Sequence, residues 1–220
     1  MSNITTFGGA NLPSVQSLST ALRALEVDIG PSGTVIIKMD KTGHWVFGAN
    51  QTPIEEGSLW AANPFSFVHG YIAWGVGTVL AEKLVSVSEP LPELDPPPEG
   101  AERGWEMQVG MVLVCLNGRD KGLQARYTAT SVGGKRGVRV LGLAVKSRVD
   151  TDAAKPVPLI DLRSDSYMHK KYGKVITPIF DIVDWVSLDA ESLDYLDEAE
   201  LEVAAEPETA DIARRRRRVV

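Results

Sequence analysis

From Gly33 onward, short apolar runs recur between clusters of Gly, Pro, Asn and Asp. They are TVIIK (34–38), HWVFG (44–48), SFVHGYIAW (66–74), TVLAEKLVSV (78–87) and WEMQVGMVLVCLN (105–117). Runs of this length bounded by turn formers predict antiparallel strands. WEMQVGMVLVCLN continues through GRDKG into LQARYTATSV as a hairpin. EPLPELDPPPEGAERG (89–104) holds five prolines and is neither a central strand nor a helix interior. It reads as a linker or, preferably, as a long surface loop within one sheet. GGKRGVRVLGLAVKSRVDTDAAK is the most helix-like internal stretch, with Val138, Leu141, Val145 and Val149 three or four apart. Gly137 and Gly142 count against it. VPLIDL and KVITPIFDIVDWVSL then predict two closing strands, joined by a connection.

About seven strands and one helix predict a mainly β (α+β) fold, an OB-like antiparallel barrel with one internal helix. A β-sandwich crossed by a helix is the alternative. Residues 1–32 form an N-terminal arm, in which Leu18, Leu22 and Leu25 suggest a short helix. Residues 33–187 form the domain. Residues 188–220 are acidic and then Arg-rich, a composition that predicts a disordered tail. No run of 18 apolar residues occurs, and MSNITTFGGANLPSVQ lacks the basic start and apolar block of a signal peptide. The sequence therefore predicts a soluble, cytoplasmic protein with no membrane partner. Cys115, the single cysteine, lies in MVLVCL and reads as a core hydrophobe.

Charge changes this picture, because the net −6 is unevenly spread. Residues 1–115 carry five bases against twelve acids, residues 116–185 thirteen against seven, and residues 186–220 five against ten. The middle block is thus +6 between two acidic ones, a pattern that suggests an anionic partner. Charges spread over solvated faces would give the same count.

Catalytic patterns are scarce. His44, His69 and His169 lie far apart and show no metal-ligand spacing. GxSxG, GxGxxG and the phosphate-loop motif are absent. SVGGKRG (131–137) either offers backbone amides and cations to a phosphate or is an ordinary exposed turn into a helix. Glu55, Glu56, Asp161 and Asp165 do not form the converging cluster that a two-metal nuclease needs. The expectation is a non-enzyme with no cofactor and no metal.

Recognition of a polyanion remains. Proteins that hold single strands combine a cationic groove with aromatic faces for the bases. In SYMHKKYGK, Lys170, Lys171 and Lys174 are candidate phosphate contacts, His169 lies between them and Tyr167, and Tyr167 and Tyr172 are candidate stacking planes. Arg126, Tyr127, Lys135, Arg136 and Arg139 extend the set. Trp60 and Phe65, in the polar stretch SLWAANPFSF, are the aromatics outside the basic block expected at the surface. The other tryptophans read as core.

GHWVFGANQTPIEEGSLWAANPFSFVHGYIAW, SVGGKRGVRVL and VPLIDLRSDSYMHKKYGKVITPIFDIVDW carry a resemblance that spans about residues 33–187. Over them the chain resembles tailed-bacteriophage and prophage single-stranded DNA-binding proteins. The resemblance implies an OB-like fold, single-strand binding in DNA replication, recombination or repair, and no catalytic residues. The acidic tail suggests contacts with replication or recombination proteins, while Arg214–Arg218 depart from the acidic-tailed pattern. The alternative is a phage virion or assembly protein with a β-rich interaction domain.

Overall fold

The structure is a computed structural model that describes residues 34–188; the expected N-terminal arm and acidic tail lie outside the described residues. Among the described residues, ten strands and one helix follow one another: β1 (Val35–Met39), β2 (Trp45–Phe47), β3 (Thr52–Pro53), β4 (Leu59–Ala62), β5 (Val68–Trp74), β6 (Val79–Ser86), β7 (Trp105–Cys115), β8 (Gln124–Ala129), α1 (Val132–Thr151), β9 (Val157–His169) and β10 (Gly173–Val186). Their sheet runs β10-β9-β4-β7-β8-β1-β2-β3. It curls into an open half-barrel, so the expectation of a mainly-β, OB-like fold with one internal helix holds, with more strands than the seven expected.

β7 organises the sheet. One edge pairs with β8 through Val109–Val114. The other pairs with β5 along Trp105–Gly110 and with β4 along Leu113–Cys115. Its alternating burial sends Met111, Leu113 and Cys115 into the core. β1 joins β8 in parallel, Val35 opposite Ala125.

α1 packs against β10, β7 and β8. Ser131 caps it, its hydroxyl accepting from Gly134 N–H at 3.1 Å. Val138, Leu141 and Val145 face the core at helical spacing. Glycines let the helix approach the sheet: a Cβ on Gly134 would meet Ala129, and one on Gly137, which counted against the helix in the sequence, would meet Phe180. Beneath the helix, Trp45, Tyr127 and Phe180 form a mutual aromatic cluster with centroids 5.2–5.5 Å apart. The Trp45 indole N–H donates to the Arg163 carbonyl at 3.0 Å, tying β2 to β9 without strand pairing.

The basic segment differs from expectation. SYMHKKYGK is not a loop between two strands: β9 and β10 pair from Val157↔Val186 to His169↔Gly173, with one register shift between Ile182 and Asp184, and only Lys170–Tyr172 form the turn. Gly173 adopts φ +72°, the left-handed region that lets so tight a turn close.

Candidate nucleic-acid interface

The β9–β10 ribbon runs on past the sheet. β4 leaves β9 at Asp161, and from Arg163 to Met168 every β9 residue is exposed. Strand alternation puts Asp161, Arg163, Asp165, Tyr167 and His169 on one face. Arg163 is bound to Asp161 at 2.7 Å and Asp181 at 3.2 Å, so its charge is neutralised where it stands. Beyond Asp165 the ribbon carries Lys170, Lys171 and Lys174 and no acid until Asp181.

The turn arranges its rings. His169 stacks on Tyr172 at 4.8 Å and 25°, and Tyr167 meets His169 edge-on at 6.5 Å. The Lys171 ammonium stands 5.3 Å from the Tyr172 ring centroid. His169 Nδ1 accepts the backbone N–H groups of Lys171 (3.1 Å) and Tyr172 (3.3 Å). That nitrogen therefore carries no proton, and the imidazole braces the turn as well as stacking within it. Tyr167 is 51% and Tyr172 69% exposed.

Of the other candidates, the first turns of α1 come nearest. A Cβ on Gly133 would meet Thr177, which lies three residues beyond Lys174 on β10, or about 10 Å along the strand from the tip. Arg136 and Arg139 are exposed and Lys135 half-buried. None of the three has an ion-pair partner among the described residues.

Three candidates must be corrected. Trp60 is 0% exposed, on a strand paired on both sides, with its indole N–H donating to the buried Ser58 hydroxyl at 3.0 Å. Tyr127 is 5% exposed within the aromatic cluster, and burial pushes its phenol up to about 12. Neither ring can receive a base. Arg126 is spent on Glu82 at 3.0 Å. Phe65 is 74% exposed as expected, but its neighbour Phe67 lies against Gly142, about 13 Å along α1 from Gly133. It does not join the tip.

No family model, curated protein or solved structure matches the chain. Among the described residues, no three of His, Cys, Asp and Glu gather to hold a metal. The arrangement offers rings and ammonium groups on a projecting turn.

Two features escaped the sequence reading. Met168, 77% exposed, adds an apolar contact to the tip. Trp74, read as core, is 39% exposed and walls a cleft of about 270 Å³ with Gly75, Gly77, Glu102, Arg103 and Glu106. The sequence WGVG carried a signal for it, since glycines directly after a tryptophan place that ring at a hairpin end.

Proposed function

We propose that the chain is a non-catalytic single-stranded DNA-binding protein acting in phage DNA replication, recombination or repair, and that the β9–β10 tip is its primary contact. One observation carries this reading: His169 contacts the rings of both Tyr167 and Tyr172, and these rings and three lysines lie at one projecting ribbon end, with no acid between Asp165 and Asp181. Lysines hold phosphates while the rings stack on bases. A strand crossing the tip can continue down β10 to Lys135, Arg136 and Arg139.

Competition at Tyr172 sets the magnitude. A stacked base contributes about 1–3 kcal/mol, and displacing an exposed ammonium from the ring costs about 0.5–1 kcal/mol. The net, on the order of 0.5–2 kcal/mol, means that Tyr172→Ala weakens binding roughly 2- to 30-fold.

Fluorescence anisotropy with a labelled oligothymidylate, repeated across a salt series, tests the reading. Three phosphate contacts give a slope of about −2 in log K against log[salt], and six give about −4. Each Lys→Gln change at 170, 171 or 174 lowers the slope by about 0.7. Absence of binding at low salt, or a slope indifferent to all three lysines, refutes it.

A further inference from the structure

The Trp74 cleft lies in the most acidic part of the domain. Residues 82–106 hold seven acids and two bases, and both bases are already engaged. Lys83 binds Asp95 at 2.6 Å, and Arg103 faces Glu106 at 3.7 Å. The second contact is long and Arg103 is exposed, so an incoming cation can replace it at Glu106. The indole of Trp74 supplies a ring face for the same cation. Val76, Val79 and Leu80, all exposed, border the cleft on the β5–β6 hairpin.

The register fixes where this cleft stands relative to the basic tip. Cys115 of β7 and Ile160 of β9 both lie opposite Trp60 of β4, and both strands are antiparallel to β4. β7 and β9 therefore run in one direction from a common level. Trp105 lies about 33 Å behind that level along β7, and His169 about 30 Å ahead along β9. Ala73 pairs with Trp105, which puts the cleft at the first end and the tip at the other.

We propose that the cleft is a socket for the β9–β10 tip of a second copy of the chain. Lys170, Lys171 or Lys174 enters between Trp74, Glu102 and Glu106, while Met168 and Tyr172 rest on Val76, Val79 and Leu80. Socket and tip are different surfaces at opposite ends, so the contact is head-to-tail and propagates instead of closing on itself as a two-fold dimer. A tip held in a socket is withheld from DNA, and self-association and strand binding compete.

Sedimentation velocity on the full chain, over a concentration series at about 20 mM and about 500 mM salt, reads this out. The weight-average mass rises with concentration at low salt, and association weakens at least tenfold at high salt. The triple change Lys170→Gln, Lys171→Gln, Lys174→Gln abolishes assembly by removing the plug. Glu102→Gln with Glu106→Gln abolishes it by removing the socket. An equimolar mixture of the two variants restores a 1:1 dimer that does not grow, because one supplies only a plug and the other only a socket. A wild-type chain that stays monomeric throughout, a variant that still assembles, or a mixture that stays monomeric each overturns the proposal. DNA binding separates the two proposals: the socket variant matches wild-type oligonucleotide affinity where the wild type is monomeric and exceeds it where the wild type assembles, because its tips are free, while the plug variant loses affinity throughout. Intact assembly without any DNA binding defeats only the DNA reading.

Discussion

Replacing Gly142 and Gly134 by alanine, two changes of identical chemistry within α1, is expected to move stability in opposite directions. In a helix interior the change from glycine to alanine favours the folded state by about 0.8–1 kcal/mol. At Gly142 nothing opposes that gain, since the new methyl would lie 3.6 Å from Phe67 Cε1, an ordinary contact. Gly142→Ala is therefore expected to raise Tm by about 2–4 °C. At Gly134 the methyl would stand 2.5 Å from Ala129 Cβ, 2.9 Å from Tyr127 Oη and 3.0 Å from the capping Ser131 Oγ. Ala129 has no rotamer with which to yield, so the helix must lift from β8. Overpacking of this kind costs about 1–3 kcal/mol, and disturbing the Ser131 cap adds up to about 1 kcal/mol. Together they exceed what the first turn of a helix gains from alanine. A net loss of about 1–2 kcal/mol lowers Tm by about 2–8 °C. Thermal and urea unfolding followed by circular dichroism measures both variants. If Gly134→Ala stabilises as Gly142→Ala does, the close seat of α1 on β8 is wrong.

Other outcomes follow from the same structure. Trp60→Phe leaves the buried Ser58 hydroxyl without its indole partner, and urea unfolding is expected to show a loss of about 1–3 kcal/mol with oligonucleotide affinity unchanged; a matching loss of affinity would return Trp60 to the binding site. The Asp40 carboxylate is held down to about 2 by hydrogen bonds from the Thr42 hydroxyl and from the backbone N–H groups of Thr42, Gly43 and His44. Its folded value lies below the ordinary 3.8, so its contribution is complete above that pH and is lost as pH falls toward 2. Asp40→Asn is expected to flatten the acid limb of the urea midpoint between those values, and an unchanged limb refutes the assignment. Burial pushes the Cys115 thiol up to about 12, so Ellman's reagent at pH 8 is expected to leave the native chain unlabelled and to titrate the thiol in denaturant; rapid native labelling would contradict its place in the core.

Much of the strand pattern was legible because glycine and proline punctuate it. The runs at 34–38, 44–48, 66–74 and 78–87 fall on β1, β2, β5 and β6 with ends displaced by a residue or two. The helix was legible from Val138, Leu141 and Val145 despite its glycines, whose purpose appears only once β8 and β10 are in place. β4 was not legible. LWAA is short and flanked by Ser58 and Asn63, and its burial comes from β7 and β9, strands that lie far along the chain. Trp60 was misplaced for the same reason. The groups that charge and aromatic spacing singled out in SYMHKKYGK lie largely exposed at the β9–β10 tip, on paired strands and a short turn instead of a loop. Charge and spacing could not separate Tyr127 from Tyr167, since both sit beside basic residues and only the alternation of a paired strand decides which ring turns inward. Arg126 and Arg163 likewise look available until Glu82 and the carboxylates of Asp161 and Asp181 are brought beside them.

The parallel pairing of β1 with β8 bears on how the chain is made. Val35 meets Ala125, a partner 90 positions later. A ribosome adding about 5–20 residues per second leaves the β1–β2 hairpin waiting roughly 5–20 s before β8 emerges. Throughout that interval Val35 and Ile37, which end in the core, have no helix above them and no strand on their open side. Nascent chains halted before residue 124 are thus the species most exposed to aggregation, and any ribosome-associated chaperone has its longest opportunity to act on this stretch.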